Sequence, residues 1–151
     1  MFKQKVLYNT MAFTFNKSER LCSRNIIEKL FSKGSSGFTL FPFRFSWVET
    51  PLDSTNKVQV IFIAAKKRYP QASQRNRVKR NLRELYRLNK HLLYDSLLKN
   101  EKQYALMISY IAKDKIQHQE MVKVFNKCLI RLITEFEKAD TNTIYSIDKI
   151  L

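Results

Sequence analysis

Between residues 72 and 91 the chain has no glycine and no proline, and its apolar residues return every three to four positions. At roughly 100° per residue, Val78, Leu82, Leu85, Asn89 and Leu92 fall on one side of a helix, while Arg75, Lys79, Arg80, Arg83, Arg87 and Lys90 share an arc of about 140° on the other. One face must therefore be covered by the rest of the chain, and the other must be left open. Solvated helix faces usually mix Glu with Lys at i, i+4 spacing, but this arc holds no acid. The wider segment, KKRYPQASQRNRVKRNLRELYRLNK at 66–90, contains ten of the 28 Lys and Arg residues and one acid, Glu84. Ten minus one is +9 of a formal net charge of +15. Like charge packed so closely opposes compactness unless a polyanion neutralises it. Arginine, which dominates the arc, offers a planar fork of donors suited to phosphates and base edges. Lys66, Lys67 and Arg68 lie in the loop feeding the helix, where the helix N-terminus adds partial positive charge. Loop and helix together form an anion site, and nucleic acid is the partner the pattern favours.

The remaining segments supply a core. A chain of 151 residues is the size of one domain. With 44% hydrophobic residues, two glycines and three prolines, it is a folded body and not a basic disordered tail. Residues 1–15 lack a clear period and read as a flexible N-terminal arm. Residues 23–34 read as a short amphipathic helix, with Ser23 as N-cap, Ile26, Ile27, Leu30 and Phe31 at helical spacing, and Gly34 closing it in a left-handed conformation. FTLFPFRFSWVE alternates Phe41, Phe43, Phe45 and Trp47 against Pro42, Arg44, Ser46 and Val48, as a half-buried strand does, with Pro42 at an edge or bulge. VQVIFIAA at 58–65 reads as a well-covered strand, joined to the previous one as a hairpin through a turn-rich link. QYALMISYIA at 103–112 reads as a strand returning parallel to the sheet, and residues 118–138 as a closing helix. The expected organisation is an arm at 1–15, a single α+β domain at 16–138 and a tail at 139–151. The strand aromatics fit either core packing or a stacking platform for unpaired bases.

Little in the sequence points to chemistry by side chains. His91 and His118 stand apart from any nucleophile and read as surface or capping residues, and the 13 acids show no paired spacing for two metals or an acid and base couple. Glycines at 34 and 37 alone make no phosphate loop. Cys22 and Cys128 fit no disulfide framework or metal spacing, and each is expected to be a buried thiol. No stretch approaches the roughly 18 apolar residues of a membrane span, and the first residues do not resemble a secretory signal. The expectation is a soluble cytoplasmic protein with no catalytic residue, no protein-held metal, no small-molecule substrate and no membrane partner.

QRNRVKRNLRELYRLNK at 74–90 resembles the signature of the bacterial ribonuclease P protein subunit: RNR, one residue, KR, two residues, RE, two residues, R. Arg75, Asn76, Arg77, Lys79, Arg80, Arg83, Glu84 and Arg87 all match it. Arg20 and Leu21 match the family's early RL, Phe31 and Gly34 the end of its first helix, and AAKKRY its lysine-rich strand end, so the resemblance spans about residues 18–137.

The resemblance implies an α/β sandwich of helix, strands, helix, strand, helix order, with a left-handed βαβ crossover, the ribosomal protein S5 domain 2-like fold. It implies a protein cofactor to a catalytic RNA that cleaves precursor tRNA at its 5′ end, with Mg²⁺ held mainly by that RNA. The partners are then ribonuclease P RNA and precursor tRNA. RNA-binding roles would fall to Lys66, Lys67, Arg68, Arg75, Asn76, Arg77, Lys79, Arg80, Arg83 and Arg87. A cleft for the single-stranded leader would be lined by Ile27, Phe31, Phe45 and Ile63. A ribosomal or other structural RNA-binding protein would share the charge but not the ordered signature. A basic amphipathic helix can also address membranes or acidic proteins, but here its apolar face is needed for the core.

Overall fold

The computed structural model describes residues 14–98 and 100–150, with side chains to residue 140. A 3₁₀ turn at Lys17–Glu19 leads into α1 (Arg24–Phe31), β1 (Ser36–Leu40), β2 (Phe43–Glu49), β3 (Val58–Ala64), α2 (Ala72–Asn89), α3 (His91–Leu97), β4 (Tyr104–Tyr110) and α4 (His118–Ile150). The strands form one sheet in the order β1-β2-β4-β3. β4 runs antiparallel to β2, with Phe45 opposite Ile108, and parallel to β3, with Val60 opposite Leu106. The β3 to β4 crossover is carried by α2 and α3, as a parallel pair requires.

Strand alternation separates two sheet faces. Phe43, Phe45, Val60, Phe62, Leu106 and Ile108 point to one, where Leu82, Leu85 and Tyr86 of α2, Leu93 and Leu97 of α3, and Phe125, Leu129 and Leu132 of α4 complete the main core. Ala105 and Met107 point to the other, where they meet Leu21, Leu30 and the half-buried Ile26, Ile27, Ile61 and Ile63. β4 is buried along nearly its whole length because helices cover both of its faces. The result is an α/β sandwich, three helices on one face and α1 on the other.

Several expectations change. The sheet's hairpin is β1 with β2, turning at Phe41 and Pro42, so the single long strand read from FTLFPFRFSWVE is two. β2 and β3 do not pair, because β4, the strand buried along nearly its whole length, lies between them. Gly34 has no left-handed backbone. α1 ends instead where the Ser32 amide donates to the Glu28 and Lys29 carbonyls and the Ser35 hydroxyl donates to that of Leu30 at 2.9 Å. Ser23 precedes α1 but its side chain makes no capping bond. Cys22 is exposed and only Cys128 is buried. The region read as an arm lies outside the described residues up to residue 13. Phe15, near its end, packs with ring centroids 5.9 Å from both Phe62 and Tyr86. α4 runs on through the stretch read as a tail.

Candidate nucleic-acid interface

α2 is held by its buried residues. Leu82 and Leu85 sit in the main core and Val78 packs at its margin, and full burial of each leucine contributes about 1.5–3 kcal/mol. With that face fixed, the opposite side of the helix is set in place before any partner arrives. Asn76, Arg77 and Arg80 are exposed, and Lys79, Arg83 and Arg87 are half-buried. The Arg83 Nε has no hydrogen-bond partner among the described residues. Arg87 pairs with Glu84 at 2.8 Å, and the hydrogen bond from Arg87 holds the Glu84 carboxyl below its usual range. The one acid of the segment is thus neutralised within the helix.

The loop at 65–71 is tied down by the same residue types. Arg75 Nη1 donates to the carbonyls of Tyr69 and Pro70, each at 2.8 Å. The Arg68 guanidinium donates to the Ile111 carbonyl, and the Tyr69 hydroxyl to that of Ala112. Burial pushes the Tyr69 phenol up, so it stays a donor. Arg68 and Arg75 therefore fasten the loop to the end of β4 and the start of α2. Lys66 and Lys67 project from it, exposed.

Lys90 leaves the outward arc. It is 4% exposed and its ammonium pairs with Glu19, an acid that nothing in the local sequence connects to it. The Tyr94 hydroxyl donates to the same Glu19 oxygen at 2.9 Å, and burial holds that phenol strongly above its ordinary value.

The residues expected to line a second cleft are divided. Ile27 and Ile63 meet on the α1 side of the sheet. Phe31, at the end of α1, is 64% exposed. Phe45 is 0% exposed on the opposite face, its ring 5.4 Å from Phe38 and 5.7 Å from Phe125. The sheet does not bring it to Ile27 or Ile63. Its neighbour Arg44, opposite Ser109 on β4, shares the α1 side with Ile63 and is exposed. The period-2 pattern of β2 carried that signal, since Phe43 and Phe45 alternate with Arg44 and Ser46. Phe43 is buried with Phe45, and Trp47 packs edge-on against Phe136. These three rings are core, whereas Phe41 stands exposed at the β1–β2 turn. Among the described residues no three His, Cys, Asp or Glu side chains converge to hold a metal, and no helix is long and apolar enough to cross a membrane.

A small α/β sandwich with a rigidly mounted cationic helix has the electrostatic footprint of a nucleic-acid-binding protein. The family model for Ribonuclease P matches residues 15–136. The ribonuclease P protein component of Porphyromonas gingivalis strain W83 is 39% identical over 124 residues, covering 80% of this chain and 87% of that one. The fold is similar to that of the RNase P protein from Thermotoga maritima, with a TM-score of 0.57 and 19% identity over 75% of this chain and 96% of that one. It is also similar to the Staphylococcus aureus RNase P protein, with a TM-score of 0.51 and 14% identity over 81% and 97% of the two chains. The chain belongs to the ribonuclease P protein family. That makes it the protein subunit of a ribonucleoprotein endoribonuclease of tRNA processing, with an RNA subunit as partner.

Proposed function

We propose that this subunit docks α2 and its preceding loop on the catalytic RNA and grips the 5′ leader of precursor tRNA on the α1 side of the sheet. The observation that carries the reading is the fixed cationic face: Lys66, Lys67, Arg77, Lys79, Arg80 and Arg83 are displayed on a frame secured by Leu82 and Leu85. Two polyanions, the RNA subunit and precursor tRNA, repel each other, and a cationic protein between them lowers that cost and releases condensed counterions. Ile27 and Ile63, with Phe31 exposed at the end of α1 and Arg44 on the same side of the sheet, offer apolar and cationic contacts of the kind unpaired nucleotides take. The phosphodiester hydrolysis belongs to the RNA, which holds the Mg²⁺ ions. Among the described residues no three His, Cys, Asp or Glu side chains are grouped to hold a metal, and the part of this chain is binding and orienting. The reaction takes place in the cytoplasm.

The test is reconstitution with a bacterial ribonuclease P RNA at low Mg²⁺. Leader removal should be faster than with RNA alone, and precursor tRNA should be bound more tightly than mature tRNA. No stimulation overturns the reading. A general RNA-binding protein would bind both tRNAs equally.

A further inference from the structure

The flank of α2 between its outward arc and its core face, reaching from Arg80 round to Val78, faces the loop after β4 and the first turn of α4. Between them lies a groove of about 830 Å³, within the roughly 300–1,000 Å³ of pockets that enclose a ligand. Its floor includes half-buried apolar groups, Tyr69, Val78, Ile116 and Met121. One rim is Gln74, Arg77, Arg80 and Asn81 of α2, and the other is Lys113, Lys115 and His118. All seven rim residues are exposed. Of the two acids in the lining, Glu84 is already engaged by Arg87. Four cations thus face an apolar floor with one uncommitted acid, Asp114.

We propose that this groove takes a short run of unpaired nucleotides of the RNA subunit. The inference rests on the reading that α2 docks RNA and extends it to residues on a different element. Three observations select this occupant. Arg77 and Arg80 belong both to the groove and to the cationic helix, so RNA lying along α2 reaches the groove without a break. The floor combines an aromatic ring with aliphatic and thioether groups, surfaces that stack or pack on a base but have nothing to offer a duplex backbone. Gln74 and Asn81 stand at the rim with donor and acceptor amides suited to base edges. Lys113 and Lys115 then meet phosphates from the far side.

The test uses the full chain with Cys22→Ser and Ile116→Cys, the new thiol carrying an azidophenacyl photo-crosslinker. Cys128 is buried and does not compete for the reagent. Irradiation in complex with a bacterial ribonuclease P RNA should give crosslinks that map to unpaired nucleotides. In parallel, Lys113→Ala/Lys115→Ala should weaken RNA binding about tenfold and lower the salt slope by up to about two, one for each phosphate that a lysine no longer neutralises. Its thermal midpoint should be that of the parent. Crosslinks confined to duplex RNA or to a second protein copy overturn the groove assignment, as does an unchanged salt slope. If α2 variants such as Arg80→Ala still weaken binding in those cases, the docking of α2 survives. Absence of RNA binding by the parent chain overturns both.

Discussion

Glu19 and Lys90, 71 positions apart, form a buried ion pair that joins the 3₁₀ turn before α1 to the junction of α2 and α3. Both Glu19 oxygens are used, one by Lys90 and Tyr94 and the other by the Asn16 amide at 2.7 Å. The lysine also donates to the Thr14 carbonyl. Removing one partner strands a buried charge. Lys90→Met should therefore cost about 3–5 kcal/mol in urea unfolding, while Glu19→Met/Lys90→Met should recover much of the loss. Neither change should alter the salt slope of RNA binding, because Lys90 faces inward. A single variant within about 1 kcal/mol of the parent, by the same measure, would show that the pair is solvated.

The two glycines predict opposite outcomes. A Cβ at Gly37 would meet the Phe45 carbonyl oxygen at 2.9 Å and Ser46 Oγ at 3.2 Å, where β1 crosses β2. Gly37→Ala should lower stability by about 1–3 kcal/mol. At Gly34 the nearest atom, Ser32 Oγ, is 3.8 Å away and the backbone is not left-handed. Gly34→Ala should instead raise stability by about 0.4–1 kcal/mol by restricting the unfolded chain. Thermal unfolding of the two variants decides both.

Cys128 links stability to alkaline pH. Burial among Phe125, Leu129 and Leu132 pushes its thiol up to about 12, against about 8.5 for an unfolded thiol. Below the unfolded value both states hold the proton, so the full benefit is present. As pH rises through the window from about 8.5 to 12, the unfolded chain loses the proton first and stability falls. Cys128→Ala should show a shallower decline than the parent between about pH 9 and 11, by up to about 1.4 kcal/mol per pH unit, the free energy of one proton. Parallel curves from chemical denaturation at each pH would refute this.

The parts legible in the sequence were those set by local periodicity. α2 reads clearly because a stretch free of Gly and Pro carries two chemically opposite faces, and the RNR pattern sits on the open one. The facing of β2 was equally local: Phe43 and Phe45 alternate with Arg44 and Ser46. Strand order was not legible, since β2, β3 and β4 are all apolar enough to be central and only competition among them puts β4 in the middle. Lys90 was misplaced because its partner, Glu19, comes from another part of the chain, and a long aliphatic stem lets a lysine enter the core once its charge is met. Phe45 was misplaced for a different reason. Position within a family pattern assigned it to a cleft that the strand's own alternation denies it, and the groove beside Lys113 and Lys115 was invisible because its two rims are separate elements.

The separation of Phe45 from Phe31 gives the sharpest test of leader recognition. Phe45 is enclosed by Phe38 and Phe125, so Phe45→Ala should cost about 3–5 kcal/mol of stability. It should leave the ratio of precursor to mature tRNA affinity unchanged in whatever fraction remains folded. Phe31 contributes little to the core, and Phe31→Ala should unfold at the parent's temperature. If the α1 side of the sheet holds the leader, losing this ring should weaken binding of leader-bearing tRNA by about 1–3 kcal/mol, the range of one base stacked on an aromatic side chain. Mature tRNA binding should not change, because it has no leader to stack. Equal losses for the two tRNAs would assign Phe31 to general RNA contact, and a loss with Phe45→Ala alone would return the leader to the opposite face of the sheet.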